Sequence, residues 1–307
     1  MKIMTFNMRN DGIIPFSKWK ERLYGFVKLI EKENPDIIGT QEMTYKSKKL
    51  LEPLIKEKYN IYGKSRKRTN TIYDEYNCIL IKKDIKVLNS FTYSLSETPQ
   101  IPKTKFKGDP FPRIMTFIET NDFYIYNTHL TAKISKNKLL QLKCITNLLK
   151  KDKPVIIMGD FNLEIKKLEK FTKENNLINT TKDIGKTYST KKELFHLDHI
   201  LISKFLKYEN TIKHNYKYNG IYISDHYPIT VEIRKDDIMN KYMKIAKELA
   251  NKNLTTNDGG PFGACIVKDG EIVGKGSNHV LKNNDPTAHA EIMAIRDACN
   301  NLNTRSE

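Results

Sequence analysis

The sequence predicts a sheet-rich α+β domain over residues 1–234, followed by a smaller second unit over 236–307. Eight short apolar runs of strand length recur along the first 234 residues, with fewer segments at helical spacing between them. The charge changes at the boundary: residues 236–307 carry nine Lys or Arg and ten Asp or Glu, against 44 and 26 in the residues before them. At 307 residues the chain has the length of about two domains.

In order, residues 3–6, 36–39, 78–81, 114–118, 123–126, 155–158, 200–203 and 229–233 read as strands. Ser17 is the expected cap of a helix carrying Leu23, Phe26, Val27 and Ile30, and Ser135 precedes Leu139, Leu142, Ile145 and Leu149 at helical spacing. Pro99, Pro102, Pro110 and Pro112 make 94–112 a long loop. Many strands with fewer helices argue for one large core with a sheet at its centre. In the second unit Ile238, Tyr242, Ile245 and Leu249 share a helical face. An Asp269-Gly270 pair between apolar runs reads as a type I′ hairpin, and Asp285-Pro286 as the start of a helix to about Asn300.

Hydrophobic residues make up 39% and aromatics 10%, enough to build cores and to exclude a disordered chain. No run approaches the roughly 18 apolar residues of a membrane helix. The start MKIMTFNMRND lacks a secretory leader, and Cys78, Cys144, Cys265 and Cys299 show no paired spacing. A soluble, reduced, cytoplasmic protein is expected, with no membrane partner. The formal charge of +17 favours polyanions or phosphorylated substrates. A lysine-rich composition that merely solvates helix faces, at Lys136, Lys138 and Lys143 for instance, accounts for it equally well.

Several polar residues stand at the ends of the apolar runs: Asn7 after IMTF, Glu42 after DIIGTQ, His129 after FYIYNT, and Asp160 and Asn162 after PVIIMG. Asp198 and His199 precede ILIS, and Asp225 and His226 precede YPITVEI. Strands lying side by side would bring these ends to one edge. Taken singly, each has a plain reading as a strand cap, a surface acid or an Asx turn. Together they supply what phosphate-ester chemistry needs. Glu42, with Asn7 and Asp225, offers hard oxygens to a divalent cation. Asp160 can activate water, Asn162 can donate to a phosphate oxygen, and His226 oriented by Asp198 can donate a proton.

The segments MTFNMRND, DIIGTQE, YNTHL, MGDFN, LDHIL and ISDHYPI, in this order, resemble the endonuclease/exonuclease/phosphatase superfamily over residues 1–234. SLSETP and PRI resemble in particular its short bacterial metal-dependent hydrolases. The resemblance implies a four-layered α/β sandwich of the deoxyribonuclease I type and a Mg²⁺- or Mn²⁺-dependent phosphoesterase. It implies Asn7, Glu42 and Asp225 for the metal, and Asp160, Asn162, Asp198 and His226 for catalysis. By the same resemblance His129 would take the place of a second catalytic histidine with Glu75 as its carboxylate partner, and Arg113 would face the phosphate. The basic surface, with Lys64, Arg66, Lys67 and Arg68 in one loop, favours DNA or RNA phosphates, although no aromatic-interleaved basic stripe is legible.

The segment from Met239 to Leu302 resembles the N-terminal half of guanine and nucleoside zinc deaminases. His289 and Glu291 form the H-x-E half of H-x-E…P-C-x-x-C. By resemblance His289 is a zinc ligand, Glu291 the proton shuttle and Asn278 a base contact, in an incomplete α/β/α fold. No P-C-x-x-C follows before Glu307, so Zn²⁺ is expected to be absent and this segment inactive. The favoured expectation is therefore a metal-dependent phosphoesterase. A zinc deaminase fragment fused to a hydrolase domain, and a non-catalytic nucleic-acid-binding module, are the alternatives.

Overall fold

The computed structural model describes residues 1–10, 19–69, 71, 74–235 and 237–303; Ser17 and Asp236 lie outside them. The chain divides into two compact units, Met1–Arg234 and Lys235–Glu307.

The first unit contains β1 (Lys2–Asn7), α1 (Trp19–Glu33), β2 (Ile37–Thr44), α2 (Tyr45–Ile55), β3 (Tyr59–Tyr62), β4 (Glu75–Lys82) and β5 (Val87–Ser94). It continues with β6 (Ile114–Thr120), β7 (Tyr124–His129), α3 (Ser135–Leu148), β8 (Val155–Asp160), α4 (Ile165–Glu174) and β9 (Leu177–Asn179). It closes with β10 (Asp198–Ser203), β11 (Leu206–Lys213), β12 (Lys217–Tyr218), β13 (Ile221–Tyr222) and β14 (Ile229–Lys235). Two six-stranded sheets result, ordered β11-β14-β1-β2-β4-β3 and β5-β6-β7-β8-β10-β9.

Three buried clusters define the layers. Ile3, Ile37 and Ile79 of the first sheet meet Ile125, Ile156 and Ile200 of the second. Met4 and Phe6 face the other way, onto Phe26 and Ile30 of α1. Phe117, Tyr126 and Ile157 pack on Leu142 and Ile145 of α3 and on Leu168 and Phe171 of α4. The order is helices, sheet, sheet, helices, the expected four-layered sandwich. Strands buried on both faces read as continuous apolar runs.

Some local expectations change. Leu139 of α3 is 60% exposed, and Gln141 takes the buried position, donating to Asp109 at 2.8 Å and accepting from Thr131 N. Helices α2 and α4 were not anticipated. The first starts directly from β2, with Thr44 and Ser47 closing a capping box.

The second unit holds α5 (Asp237–Thr256), a hairpin of β15 (Gly263–Lys268) and β16 (Glu271–Ser277), the short α6 (Val280–Asn283) and α7 (Ala290–Leu302). Asp269 and Gly270 have φ of 53° and 84°, both positive as a type I′ turn requires. The last helix begins at Ala290 rather than at Asp285-Pro286. Asp285 instead accepts from the Thr287 N–H at 2.8 Å and hydroxyl at 2.7 Å, closing a local turn.

Candidate active site

Strand direction and register gather the polar residues. β1 runs parallel to β2 with Asn7 opposite Gln41, and β7 parallel to β8 with His129 opposite Asp160. Antiparallel β10 begins at the same edge, Asp198 facing Asp160, and β14 begins just after Asp225 and His226. A register shift in β2 between Thr40 and Met43 marks a bulge, where Glu42 takes a φ of 58°. That left-handed conformation is uncommon for a glutamate and turns its carboxylate out of the ladder.

Asp160 lies at the centre. Its Oδ1 accepts from the Asn162 N–H at 2.9 Å. Its Oδ2 accepts from Asn7 Nδ2 at 3.0 Å and lies 3.6 Å from Nε2 of His129 and 3.8 Å from Nε2 of His226. Asn7 Nδ2 also donates to Glu42 Oε1 at 3.0 Å, and the Asn10 N–H reaches Glu42 Oε2. His226 Nδ1 donates to Asp198 Oδ2 at 2.8 Å. Asp160, Asp198 and His226 form a buried group whose ligand-capable atoms lie within 4.8 Å of one another. The Nδ1 bond to Asp198 makes this an oriented imidazole rather than an open metal cage.

The environment separates the protonation states. Burial pushes the Asp160 carboxyl up to about 7, against the opposing charge of His226 and the donors from Asn162 and Asn7. Burial works against a charged His226 too, but Asp198, with Asp160 and Asp225 behind it, raises it to about 10. His129 falls well below its ordinary value, through burial and then the charges of Arg113 and His226. The two histidines therefore differ: neutral pH leaves His226 charged and His129 neutral.

Glu75 does not pair with His129 in the way the resemblance implied. Arg66 binds its carboxylate at 2.6 Å and Asn10 donates to it at 2.8 Å. Arg66, which the sequence placed in a basic loop favouring nucleic-acid phosphates, is 8% exposed and lies over the Phe111 ring. Asp225 is held by Arg9, itself at a positive φ of 50°. Arg22 reaches under this turn to the carbonyls of Met8 and Arg9.

Glu42, Arg113, His129, Asp160, Asn162, Asp225 and His226 line one cleft of about 530 Å³. Sequence reasoning missed several other residues here. Thr187 donates to Asp198 Oδ2 at 2.6 Å. Tyr188 lies 4.8 Å from the His226 ring, and Phe195 stacks on Tyr188 at 12°. Lys138 and Lys167 occupy the rim. Thr187, Tyr188 and Phe195 sit in a stretch without apolar runs, where motif spacing carries no signal. His199 turns away from the cleft, its Nε2 on the Leu163 carbonyl at 2.8 Å.

In the second unit Asn278 Nδ2 lies 3.4 Å from His289 Nδ1, and Glu291 is exposed in the first turn of α7. Cys265 faces the Tyr242 carbonyl. Among the described residues His289 belongs to no group of three ligand side chains.

Comparison with known proteins matches residues 4–226 to the model described as Endonuclease/Exonuclease/phosphatase family. Residues 237–307 match the cytidine and deoxycytidylate deaminase zinc-binding region. A mannosyl-6-phosphatase of Bacteroides thetaiotaomicron superposes with a TM-score of 0.67 at 20% identity, over 76% of this chain and 99% of that one, a likeness of fold. The uncharacterized protein L388 of Acanthamoeba polyphaga mimivirus is 29% identical over 75% of this chain and 99% of its own length. The guanine deaminase of Bacillus subtilis is 55% identical over 58 residues, and the chain spans only 37% of that protein. Among the described residues no helix is long and apolar enough to cross a membrane.

Proposed function

The chain belongs to the endonuclease/exonuclease/phosphatase family through residues 4–226, and from that premise we propose that it is a divalent-metal-dependent phosphoesterase acting through Asp160, His226 and Asp198. The observation that carries the reading is the His226 imidazole, oriented by Asp198, facing the Asp160 carboxyl at 3.8 Å beside Asn7 and Glu42.

Asp160, with burial raising its carboxyl, is the group that orients the attacking water and takes its proton. His226, kept protonated by Asp198, donates to the phosphoryl centre or the leaving oxygen. Asn162 spends one amide N–H on the Leu130 carbonyl at 3.0 Å and has a second to offer a phosphate oxygen. Arg113, largely buried in the cleft wall, is a cation for the same phosphate, and neutral His129 is a hydrogen-bond partner beside it.

The donor set fits a hard cation: Glu42, Asp225 and the amide oxygen of Asn7 are all oxygen ligands, in a region where several carboxylates crowd. Bound there, Mg²⁺ or Mn²⁺ would polarise the phosphoryl oxygen and offset its developing charge. The net charge of residues 1–235 supports a polyanionic substrate, DNA or RNA among them.

For the second unit the reading is an inactive deaminase-like segment without catalytic zinc, in which the side chain beside His289 Nδ1 is the amide of Asn278 at 3.4 Å. One zinc per chain in native mass measurements would overturn this.

Nicking of supercoiled plasmid with Mg²⁺ is the test, run beside phosphate release from small esters, on wild type and Asp160→Ala. Hydrolysis abolished by the substitution supports the reading. Wild type inert on every ester, or equal activity in both proteins, rejects the site.

A further inference from the structure

Between the two sheets the apolar rows end in a polar clasp. Ile37 of β2 and Ile125 of β7 belong to the core between the sheets. Further along the same strand faces stand Gly39 and Gln41 on β2, and Asn127 on β7. Gln41 and Asn127 are wholly buried, and Gln41 Nε2 donates to Asn127 Oδ1 at 2.7 Å across the layer. The Asn127 amide gives its N–H groups to the carbonyls of Thr40 and Cys78, at 2.9 and 2.8 Å. Carbonyls only accept, so the amide nitrogen must face them, and Gln41 must turn its own nitrogen to the Asn127 oxygen. A Cβ at Gly39 would lie 2.8 Å from Asn127 Oδ1, so glycine is what lets the sheets approach closely enough here.

The clasp sits where the ladder of β2 and β4 breaks. Thr40 and Cys78 form the last regular pair; the next is Met43 with Tyr76, leaving Gln41 and Glu42 opposite the single Asn77. Asn127 thus holds both carbonyls at the edge of the bulge, and Gln41 is the bulge residue that precedes Glu42 with its positive φ. Two residues further along β7 comes His129, opposite Asp160 on β8. An apolar pair at these positions would continue the isoleucine core without desolvating two amides. The location of the amides, not their contribution to the core, accounts for them.

Resting on the phosphoesterase reading above, we propose that Asn127, oriented by Gln41, is a positioning residue for Glu42. By clamping the Thr40 and Cys78 carbonyls to β7 it fixes the shape of the β2 bulge, and with it the place of the Glu42 carboxylate that is offered to the cation. The same bond ties that carboxylate to the strand that delivers His129. Asn127 touches no reacting atom; it acts through the backbone of β2.

The test compares, in the full chain, Asn127→Leu with Ile125→Val. The first removes both donors at similar volume; the second perturbs the same strand and core without touching the bulge. Two readouts need no turnover: Mn²⁺ binding followed by electron paramagnetic resonance, and exchange of the Asn10 amide, whose N–H rests on Glu42 Oε2 at 3.1 Å. In Asn127→Leu the Kd for Mn²⁺ is expected to rise about ten-fold or more and Asn10 to exchange about ten-fold faster. Ile125→Val keeps both within about two-fold of wild type. In turnover, Asn127→Leu needs more Mg²⁺ for half activation, while kcat at saturating Mg²⁺ stays within about three-fold. Gln41→Met leaves the Asn127 amide in place but frees its oxygen, and raises the Mn²⁺ Kd about three-fold or more; it decides the matter if Asn127→Leu does not fold. Either variant matching Ile125→Val in both readouts overturns the proposal and makes the clasp purely structural. Wild type that binds Mn²⁺ and hydrolyses no ester removes only the phosphoesterase reading. Wild type that binds no Mn²⁺ removes the metal, and Asn10 exchange then decides for or against Asn127.

Discussion

Nδ1 of His226 lies 2.8 Å from Oδ2 of Asp198, an oxygen that also accepts the Thr187 hydroxyl at 2.6 Å. An ionised carboxylate only accepts, so the Nδ1 proton is fixed and Nε2 points to Asp160. Asp198→Asn places an amide where the acceptor was and removes the charge that keeps the ring protonated. A loss of about 10³-fold or more in kcat is expected, by analogy with other carboxylate-oriented histidines. Thr187→Val, which leaves the charge, costs about ten-fold. Steady-state rates on one ester with Mg²⁺ decide; an Asn variant as active as wild type removes Asp198 from the machinery.

The same pair sets the pH profile. Asp160 must lose its proton to act on water, and burial holds its carboxyl near 7, so kcat/KM rises with pH through about 7. His226 must keep its proton, and the carboxylates around it hold it up to about 10, so activity falls through about 10. In a partly active Asp198 variant the alkaline limb moves down by more than one pH unit while the acid limb stays within one. An alkaline limb that does not move would falsify the assignment of His226 as the proton donor.

Glu42 stores strain where the proposed metal binds. Its φ of 58° lies in a region that asparagine adopts more readily than glutamate. Glu42→Asn relieves about 1 kcal/mol of backbone cost and loses the hydrogen bonds from Asn7 and the Asn10 N–H, about 1 kcal/mol each. Stability in urea therefore stays within about 1 kcal/mol of wild type. Activity falls, and the Mg²⁺ needed for half activation rises about ten-fold or more. A large stability loss with unchanged metal demand reverses the role, making Glu42 a structural residue.

The eight apolar runs all became strands, because each lies between two buried faces. The longer strands that left no signal, β3, β5, β9 and β11, are the four sheet edges. Val87–Ser94 and Leu206–Lys213 are largely exposed, so their composition is that of a surface. Helix α2 was hidden by its lysines and by Pro53, and α4 by having only Leu168 and Phe171 buried. At the site, residues at strand ends were legible because an apolar run announces the end. Arg9, Thr187, Tyr188 and Lys138 were not: Thr187 and Tyr188 lie in a stretch without pattern, while Arg9 and Lys138 lie inside a motif and a helical segment whose spacing does not single them out. Lys138 illustrates the cost: read as a solvated helix face, it instead reaches the Asn162 carbonyl.

His199 is locked neutral by geometry. Nε2 must donate to the Leu163 carbonyl at 2.8 Å, so Nδ1 accepts from Asn179 Nδ2 at 3.1 Å. Asn179 cannot flip, because its oxygen already accepts from Thr181 N and Oγ1. Burial, then the neighbouring His196, takes the ring down to about 3. The unfolded chain binds a proton below about 6.5 and the folded site does not, so this residue stabilises the fold fully above 6.5 and less as pH falls. Between pH 7 and 5 the loss is about 2 kcal/mol. Asp160, with its raised carboxyl, acts in the opposite sense over this window, so the wild-type curve alone is a sum. His199→Gln keeps a donor for Leu163 and does not titrate. Urea midpoints at pH 7 and 5 are expected to show the variant losing about 2 kcal/mol less than wild type; parallel curves contradict the locked tautomer.

Gly159 ties the architecture to the chemistry. Its φ is 148°, and a Cβ built there would lie 2.0 Å from the Thr128 carbonyl oxygen on β7. Thr128 pairs with Gly159, and the next pair along is His129 with Asp160. Gly159→Ala must therefore separate two core strands at the point where they deliver both residues, and backbone on backbone cannot move aside as a side chain would. Strain and overpacking together put the loss at about 3–5 kcal/mol. Activity should fall about 100-fold in whatever fraction remains folded, since small misplacements of reacting groups have that effect. Gly220 separates the two causes: its φ is also positive, at 79°, but nothing lies within 4 Å of a Cβ there. Gly220→Ala is expected to cost about 1 kcal/mol and to leave turnover unchanged. If the two alanines destabilise equally in urea, backbone conformation accounts for Gly159 and strand approach does not.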